Sequence, residues 1–170
     1  MENEIVNRVA SSSLMTFDLE TLYVPGERQV YDLKDHLYQG LILKEKDFRE
    51  HVKIFNWASY AGKRVAITCT ADAIVPTWAY MLVAVALKPH ARQIFFGTLE
   101  SLETFLFLDA LKKIDWTQYQ DAKVVVKGCS HVQVPEAAYV EAVNQLLPFA
   151  SSIMFGEPCS TVPLYKRPRG

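Results

Sequence analysis

Trp57-Ala-Ser-Tyr-Ala-Gly-Lys-Arg-Val-Ala-Ile-Thr68 returns, 59 residues later, as Trp116-Thr-Gln-Tyr-Gln-Asp-Ala-Lys-Val-Val-Val-Lys127. The likeness continues beyond these stretches. Val75-Pro76 stands against Val134-Pro135, Ala79-Tyr80 against Ala138-Tyr139, and Ile94, Phe96 and Gly97 against Ile153, Phe155 and Gly156. The 41 positions from Trp57 to Gly97 hold 13 identities without a gap. Ordinary residue frequencies would give roughly two or three. Convergence of two βαβ units is the alternative to an internal duplication; the ungapped run favours duplication, with copies at about 57–98 and 116–157.

Each copy reads in the same way. A Trp-x-x-Tyr turn leads into a β-branched strand, Arg64–Thr68 or Lys123–Lys127. A loop then ends in Pro76 or Pro135, which suits the first turn of a helix because proline has no amide hydrogen to leave unpaired. The helices span about Pro76–Lys88 and Pro135–Leu147, and Pro89 and Pro148 stop them. Second strands follow at Gln93–Gly97 and Ser152–Gly156, and the link Leu99–Ile114 reads as a helix. Strands alternating with helices predict an α/β fold with a parallel sheet between helical layers. Two halves related by a pseudo-twofold axis would form one three-layer domain with a mostly parallel four-stranded sheet. Counting the repeat strands in chain order, its strand order is 2-1-3-4.

The repeat core occupies 57–170, and residues 1–56 form an N-terminal strand and helix extension packed on it. Leu14–Val24 and Gln29–Leu37 read as strands around the turn Val24-Pro-Gly-Glu. Glu45–Asn56 puts Phe48, Val52 and Phe55 on one helical face. This segment covers a face or edge of the sheet, or supplies a dimer contact, so a homo-oligomer stays open. The tail, Leu164-Tyr-Lys-Arg-Pro-Arg-Gly170, is basic, and a solvated terminus is the simpler reading of it.

Half of the 170 residues are apolar, enough for a sizeable core. A net charge of −1 gives no field that argues for nucleic acid or a membrane surface, and neither is expected as a partner. The acidic start, Met1-Glu-Asn-Glu4, is unlike a signal peptide. The uncharged run Ala73–Leu87 falls short of a bilayer span and reads as a buried central helix. Three cysteines close no disulfide framework, which suits a reduced, cytoplasmic protein.

Those cysteines carry the chemistry. Cys69 ends the first repeat strand, Cys129 the third, and Cys159 follows the fourth; His131 stands two residues past Cys129. Ligands of open parallel sheets gather beyond the carboxyl ends of the strands. In the order above, the three cysteines end three adjacent strands about 4.8 Å apart. Ligands around a tetrahedral zinc stand roughly 3.8 Å from one another. Cys69, Cys129, His131 and Cys159 thus form a candidate metal site, for which thiolate and imidazole select zinc or iron. Core packing is the bland reading of any single cysteine. A thiol enzyme or sulfur carrier using Cys159 or Cys129 is the second functional reading. A protein-interaction module with structural cysteines is the third.

The runs Leu41-Ile-Leu-Lys-Glu-Lys-Asp-Phe-Arg49, Ala71-Asp-Ala-Ile-Val-Pro-Thr-Trp-Ala-Tyr80 and Gly156-Glu-Pro-Cys-Ser-Thr-Val-Pro-Leu-Tyr-Lys166 resemble an uncharacterised bacterial family, domain-of-unknown-function family 2480. Its members are associated with gene neighbourhoods for iron–sulfur cluster assembly. The resemblance implies an accessory role in metal, sulfur or cluster handling, with other iron–sulfur assembly proteins as partners. It carries over no catalytic residue.

Overall fold

The computed structural model describes residues 14–128, 130–157 and 159–170. The chain divides into two compact units. One is Pro25–Glu103; the other joins the residues up to Val24 to Thr104–Gly170.

The unit Pro25–Glu103 holds β2 (Arg28–Asp32), α1 (Glu45–Ile54), β3 (Arg64–Thr68), α2 (Thr77–Leu87) and β4 (Gln93–Phe96), taking β1 as Leu14–Asp18 in the other unit. Its sheet is parallel, in the order β2-β3-β4. The central strand β3 is buried on both faces, with Val65, Ala66 and Ile67 almost fully covered. Pro76 caps α2 at φ −60°, the angle its ring imposes.

After α3 (Leu99–Lys112), the other unit continues with β5 (Lys123–Lys127), α4 (Glu136–Leu146), β6 (Ser152–Glu157) and β7 (Ser160–Lys166). Its sheet runs β1-β5-β6-β7; the first three strands are parallel, and β7 returns antiparallel along β6. The protein is therefore α/β, with a mostly parallel four-stranded sheet and a parallel three-stranded one. No helix among the described residues is long and apolar enough to cross a membrane.

The single sheet of order 2-1-3-4 is not what forms. Its central pair would be β3 and β5, and these lie in different sheets. A strand has two edges. Those of β3 are taken by β2 and β4, and those of β5 by β1 and β6, so the two cannot pair. The segment expected to act as one N-terminal extension gives β1 to one sheet and β2 to the other. The registers match: Arg28 faces Arg64 as Leu14 faces Lys123, and Arg64 faces Gln93 as Lys123 faces Ser152.

Two further expectations change. The apolar helix α2 buries Ala79, Val83 and Leu87, but Met81 and Val85 are 63% and 71% exposed. Only the i, i+4, i+8 stripe of a helix lying on one face of a sheet touches it. The basic tail is not simply solvated. Ser160–Lys166 is a strand, the Arg167 amide donates to the Ser151 carbonyl, and its guanidinium donates to the carbonyls of Phe149 (2.8 Å) and Ala150 (3.3 Å) and pairs with Asp121. Pro163 is tolerated in β7 because the strand lies at the sheet edge, beside a register shift at Ile153/Met154.

Each unit has its own apolar core. In both, a tryptophan from the Trp-x-x-Tyr turn donates its indole N–H to a carbonyl of the preceding helix: Trp57 to Val52 at 2.8 Å, Trp116 to Leu111 at 3.3 Å. Gly156, at φ +119° near the end of β6, pairs with Thr161 of β7, and a Cβ there would stand 2.6 Å from the Ser160 carbonyl oxygen. Only glycine suits both the angle and that approach.

Candidate functional site

The carboxyl ends of β1, β5 and β6 form one rim of the four-stranded sheet. Asp18 ends β1 opposite Lys127, the last residue of β5. The Lys127 ammonium stands 3.7 Å from the Asp18 carboxylate and 3.7 Å from that of Glu157, the last residue of β6. Asp18 also accepts the Glu20 amide at 3.0 Å, capping the short 3-10 turn Leu19–Leu22 that follows β1.

That turn aims Glu20 at the loop after β5. One oxygen of its carboxylate accepts the backbone N–H groups of Ser130, His131 (2.7 Å) and Val132 (3.3 Å). The His131 amide is foremost in holding the Glu20 carboxyl below the usual carboxylate range, with the Val132 and Ser130 amides adding to it and burial opposing. The loop is thus wrapped around an anion that the chain itself supplies. The His131 side chain is exposed. Cys159, also exposed, sits in the turn between β6 and β7. Cys129, between Gly128 and Ser130 in sequence, lies outside the described residues.

Cys69 belongs to the other sheet. It follows β3, half-buried, with its sulfur 3.8 Å from the Ala71 carbonyl oxygen. Beside it, Asp32 ends β2 and accepts the Thr70 hydroxyl (2.5 Å) and the amides of Thr70 (3.1 Å) and Lys34 (3.0 Å). Burial works to raise the Asp32 carboxyl, but these hydrogen bonds outweigh it and the pKa falls. The adjacency that would bring Cys69 beside the other two cysteines required β3 next to β5, and this pairing is not made. Among the described residues, no group of three or more His, Cys, Asp or Glu is arranged to hold a metal ion.

A second constellation escaped the sequence reading. In Pro25–Glu103, a cavity of about 300 Å³ opens between α1 and the segment after β2, lined by Asp35, His36, Tyr38, Lys44, Asp47 and His51 among others. The His36 and His51 rings stack with centroids 3.8 Å apart, and Nε2 of His51 lies 2.9 Å from the hydroxyl of the buried Tyr31. Burial lowers the pKa of both imidazoles; His36 lowers that of His51 further, while Asp35 and Asp32 act against the fall at His36. Burial first, then Tyr60 and Asp35, push the Tyr31 phenol far up.

The other unit shows what this cluster adds. Tyr31 faces Ile67 where Phe17 faces Val126. His36 closes its 3-10 turn as Leu22 closes the matching one. His51 and Ala110 each directly precede the residue whose carbonyl accepts the tryptophan indole. Phe, Leu and Ala suffice for the packing, so the Tyr-His-His set is a polar addition to an otherwise apolar plan. At the repeat offset of 59 only His51 meets its counterpart, Ala110; Tyr31 and His36 follow theirs, Phe17 and Leu22, by 14 residues, so the alignment that reveals the core does not expose the set.

Comparison with known protein families identifies the chain: residues 3–167 match the model of DUF2480, described as a protein of unknown function, and the chain belongs to that family. No curated protein and no solved structure matches it.

Proposed function

We propose that this DUF2480 protein binds a zinc or iron ion through Cys129, His131 and Cys159 at the carboxyl ends of β5 and β6. One observation carries the reading. β5 and β6 are parallel neighbours, with Val126 facing Phe155, so the loop bearing His131 and the turn bearing Cys159 leave the sheet at the same end. Neighbouring strands stand about 4.8 Å apart, close to the roughly 3.8 Å between ligands on a tetrahedral ion. Cys69 is left out of the set because its strand is no neighbour of β5.

Three protein ligands leave one coordination position for water, a substrate thiolate or a partner's ligand. Such a site suits an accessory role in metal, sulfur or iron–sulfur cluster handling in a reduced, cytoplasmic setting, with cluster-assembly proteins as partners. Glu20 would act as a positioning residue, fixing the backbone of the loop that presents His131. The matching registers of the two sheets further support an origin by internal duplication. The metal ligands then lie at places the other copy does not share: Thr70 and Asp72 stand where the second copy has Cys129 and His131.

Metal analysis of the full chain purified without chelator tests the proposal. About one equivalent of zinc or iron per chain is expected. A second reading, a reactive thiol, draws on the exposure of Cys159. A metal-free protein with one rapidly alkylated thiol would favour that reading. A metal-free protein with inert thiols would sink both.

A further inference from the structure

Four rings line the cavity in Pro25–Glu103. His36 and Tyr38 come from the segment after β2, Phe48 and His51 from α1. A tight turn fixes Tyr38: its amide donates to the Ile42 carbonyl at 2.7 Å, and its carbonyl accepts the Leu41 amide at 3.1 Å. Phe48 is the most deeply buried of the four, its centroid 6.1 Å from that of His36 and 6.2 Å from that of His51. The faces of tyrosine and phenylalanine rings carry negative charge and attract a cation within about 6 Å of the centroid.

Charge at the cavity is unevenly met. Asp35 and Asp47 bring two carboxylates, and among the described residues neither is in an ion pair. Lys44 brings an ammonium, but gives it to neither carboxylate. It stands over the Tyr38 ring, 3.4 Å from the centroid. One ammonium against two carboxylates leaves the lining negative. Burial keeps both imidazoles below their ordinary pKa, so at neutral pH they are uncharged. A neutral imidazole offers a cation a hydrogen-bond acceptor rather than a like charge. Among the described residues no group is arranged to hold a metal ion, so the cation that fits is an organic one.

We propose that this cavity binds a small organic ammonium ion, and that Lys44 is the chain's own stand-in for it. The ligand takes the place of the Lys44 ammonium on the Tyr38 ring, with Asp35 and Asp47 as counter-charges and His36 as acceptor. Nε2 of His51 is already engaged by Tyr31, so His51 contributes its ring and steadies His36 by stacking. Lys44 is free to leave. It is exposed, and it stands at the N-cap of α1 without a side-chain hydrogen bond to the helix. An anion would be opposed by the two carboxylates, and a neutral solute would gain nothing from them. The other unit has Leu22 and Ala110 at the places of His36 and His51, so it lacks the acceptor. The site involves no cysteine and stands independently of the proposed metal site.

Proton NMR of the imidazole C–H groups tests the proposal. The full chain at neutral pH is titrated with butylammonium chloride, against sodium chloride of equal ionic strength. The His36 and His51 resonances should shift saturably, with a dissociation constant of about 1 mM or tighter. Those of His90 and His131, which do not line the cavity, should not move. Sodium butyrate should produce no such shift. Lys44→Met removes the stand-in and should tighten binding several-fold. Asp35→Asn, and His36→Leu read at His51, should each weaken it several-fold. No saturable shift in the wild type up to about 20 mM butylammonium would overturn the proposal. So would an equal response to butyrate, or weaker binding in Lys44→Met. The wild-type titrations decide the matter even if His36→Leu fails to fold.

Discussion

Nε2 of His51 lies 2.9 Å from the Tyr31 hydroxyl, and the His36 ring stacks on that of His51 at 3.8 Å. Both imidazoles have pKa values below their ordinary one, chiefly through burial. The unfolded chain, with histidines near 6.5, therefore binds more protons than the folded one just below that pH. Stability falls as pH drops through about 6.5 and levels off below the folded-state values. Asp35 and Asp32 act against the fall in pKa at His36. Urea denaturation across this window should show the loss. A Tyr31→Phe/His36→Leu/His51→Ala variant, carrying the residues of the other unit, should show a flatter profile. A profile unchanged by the triple substitution would place the pH dependence elsewhere.

Glu20 is expected to hold the loop after β5. Glu20→Gln keeps the size of the side chain but removes the charge that three amides share. Exchange of the Ser130, His131 and Val132 amides should speed up several-fold, with the core amides of β5 unaffected. Equal exchange in variant and wild type would mean that the loop is fixed by something else.

Ile94 and Ile153 provide an internal comparison. Both face the central strand of their sheet at the same register, Ile94 opposite Val65 and Ile153 opposite Val124. Only Ile153 is sealed by a further strand. Ile153→Ala should cost about 2–5 kcal/mol in denaturant unfolding, the range for a buried isoleucine. Ile94→Ala should cost less, below about 2 kcal/mol. Equal costs would mean that the β4 edge is covered in solution.

The elements of the repeat were legible because their signals are local. β3 and β5 are β-branched runs buried on both faces, and their limits, Arg64–Thr68 and Lys123–Lys127, can be read from the chain. Pro76 and Pro135 mark the helix starts for a stereochemical reason. Pairing was not legible, because side-chain pattern identifies a strand without saying which strand lies at each of its edges. β1 and β2 settle that matter for β5 and β3, and neither repeats in the register that reveals the core. β7 was hidden by Pro163, which cannot donate to a strand ladder, and by the basic residues after it, which read as chain end.

The same distinction applies to the candidate site. That Cys69 and Cys159 follow strands could be read directly; which sheet each strand joins could not. The histidine cavity combines residues from β2, a short turn and α1, none of which carries a motif. Its signal lies in the contrast with Phe17, Leu22 and Ala110.

The central claim, a metal site on Cys129, His131 and Cys159, is tested most directly by titrating the reduced full chain with cobalt(II). Cobalt substitutes for zinc and reports thiolate ligands through sulfur-to-metal charge-transfer absorption. The account predicts that this absorption saturates near about one equivalent, is lost in Cys129→Ser and in Cys159→Ser, and persists in Cys69→Ser. No charge-transfer band in the wild type, or a band abolished by Cys69→Ser while Cys159→Ser keeps it, would contradict the account.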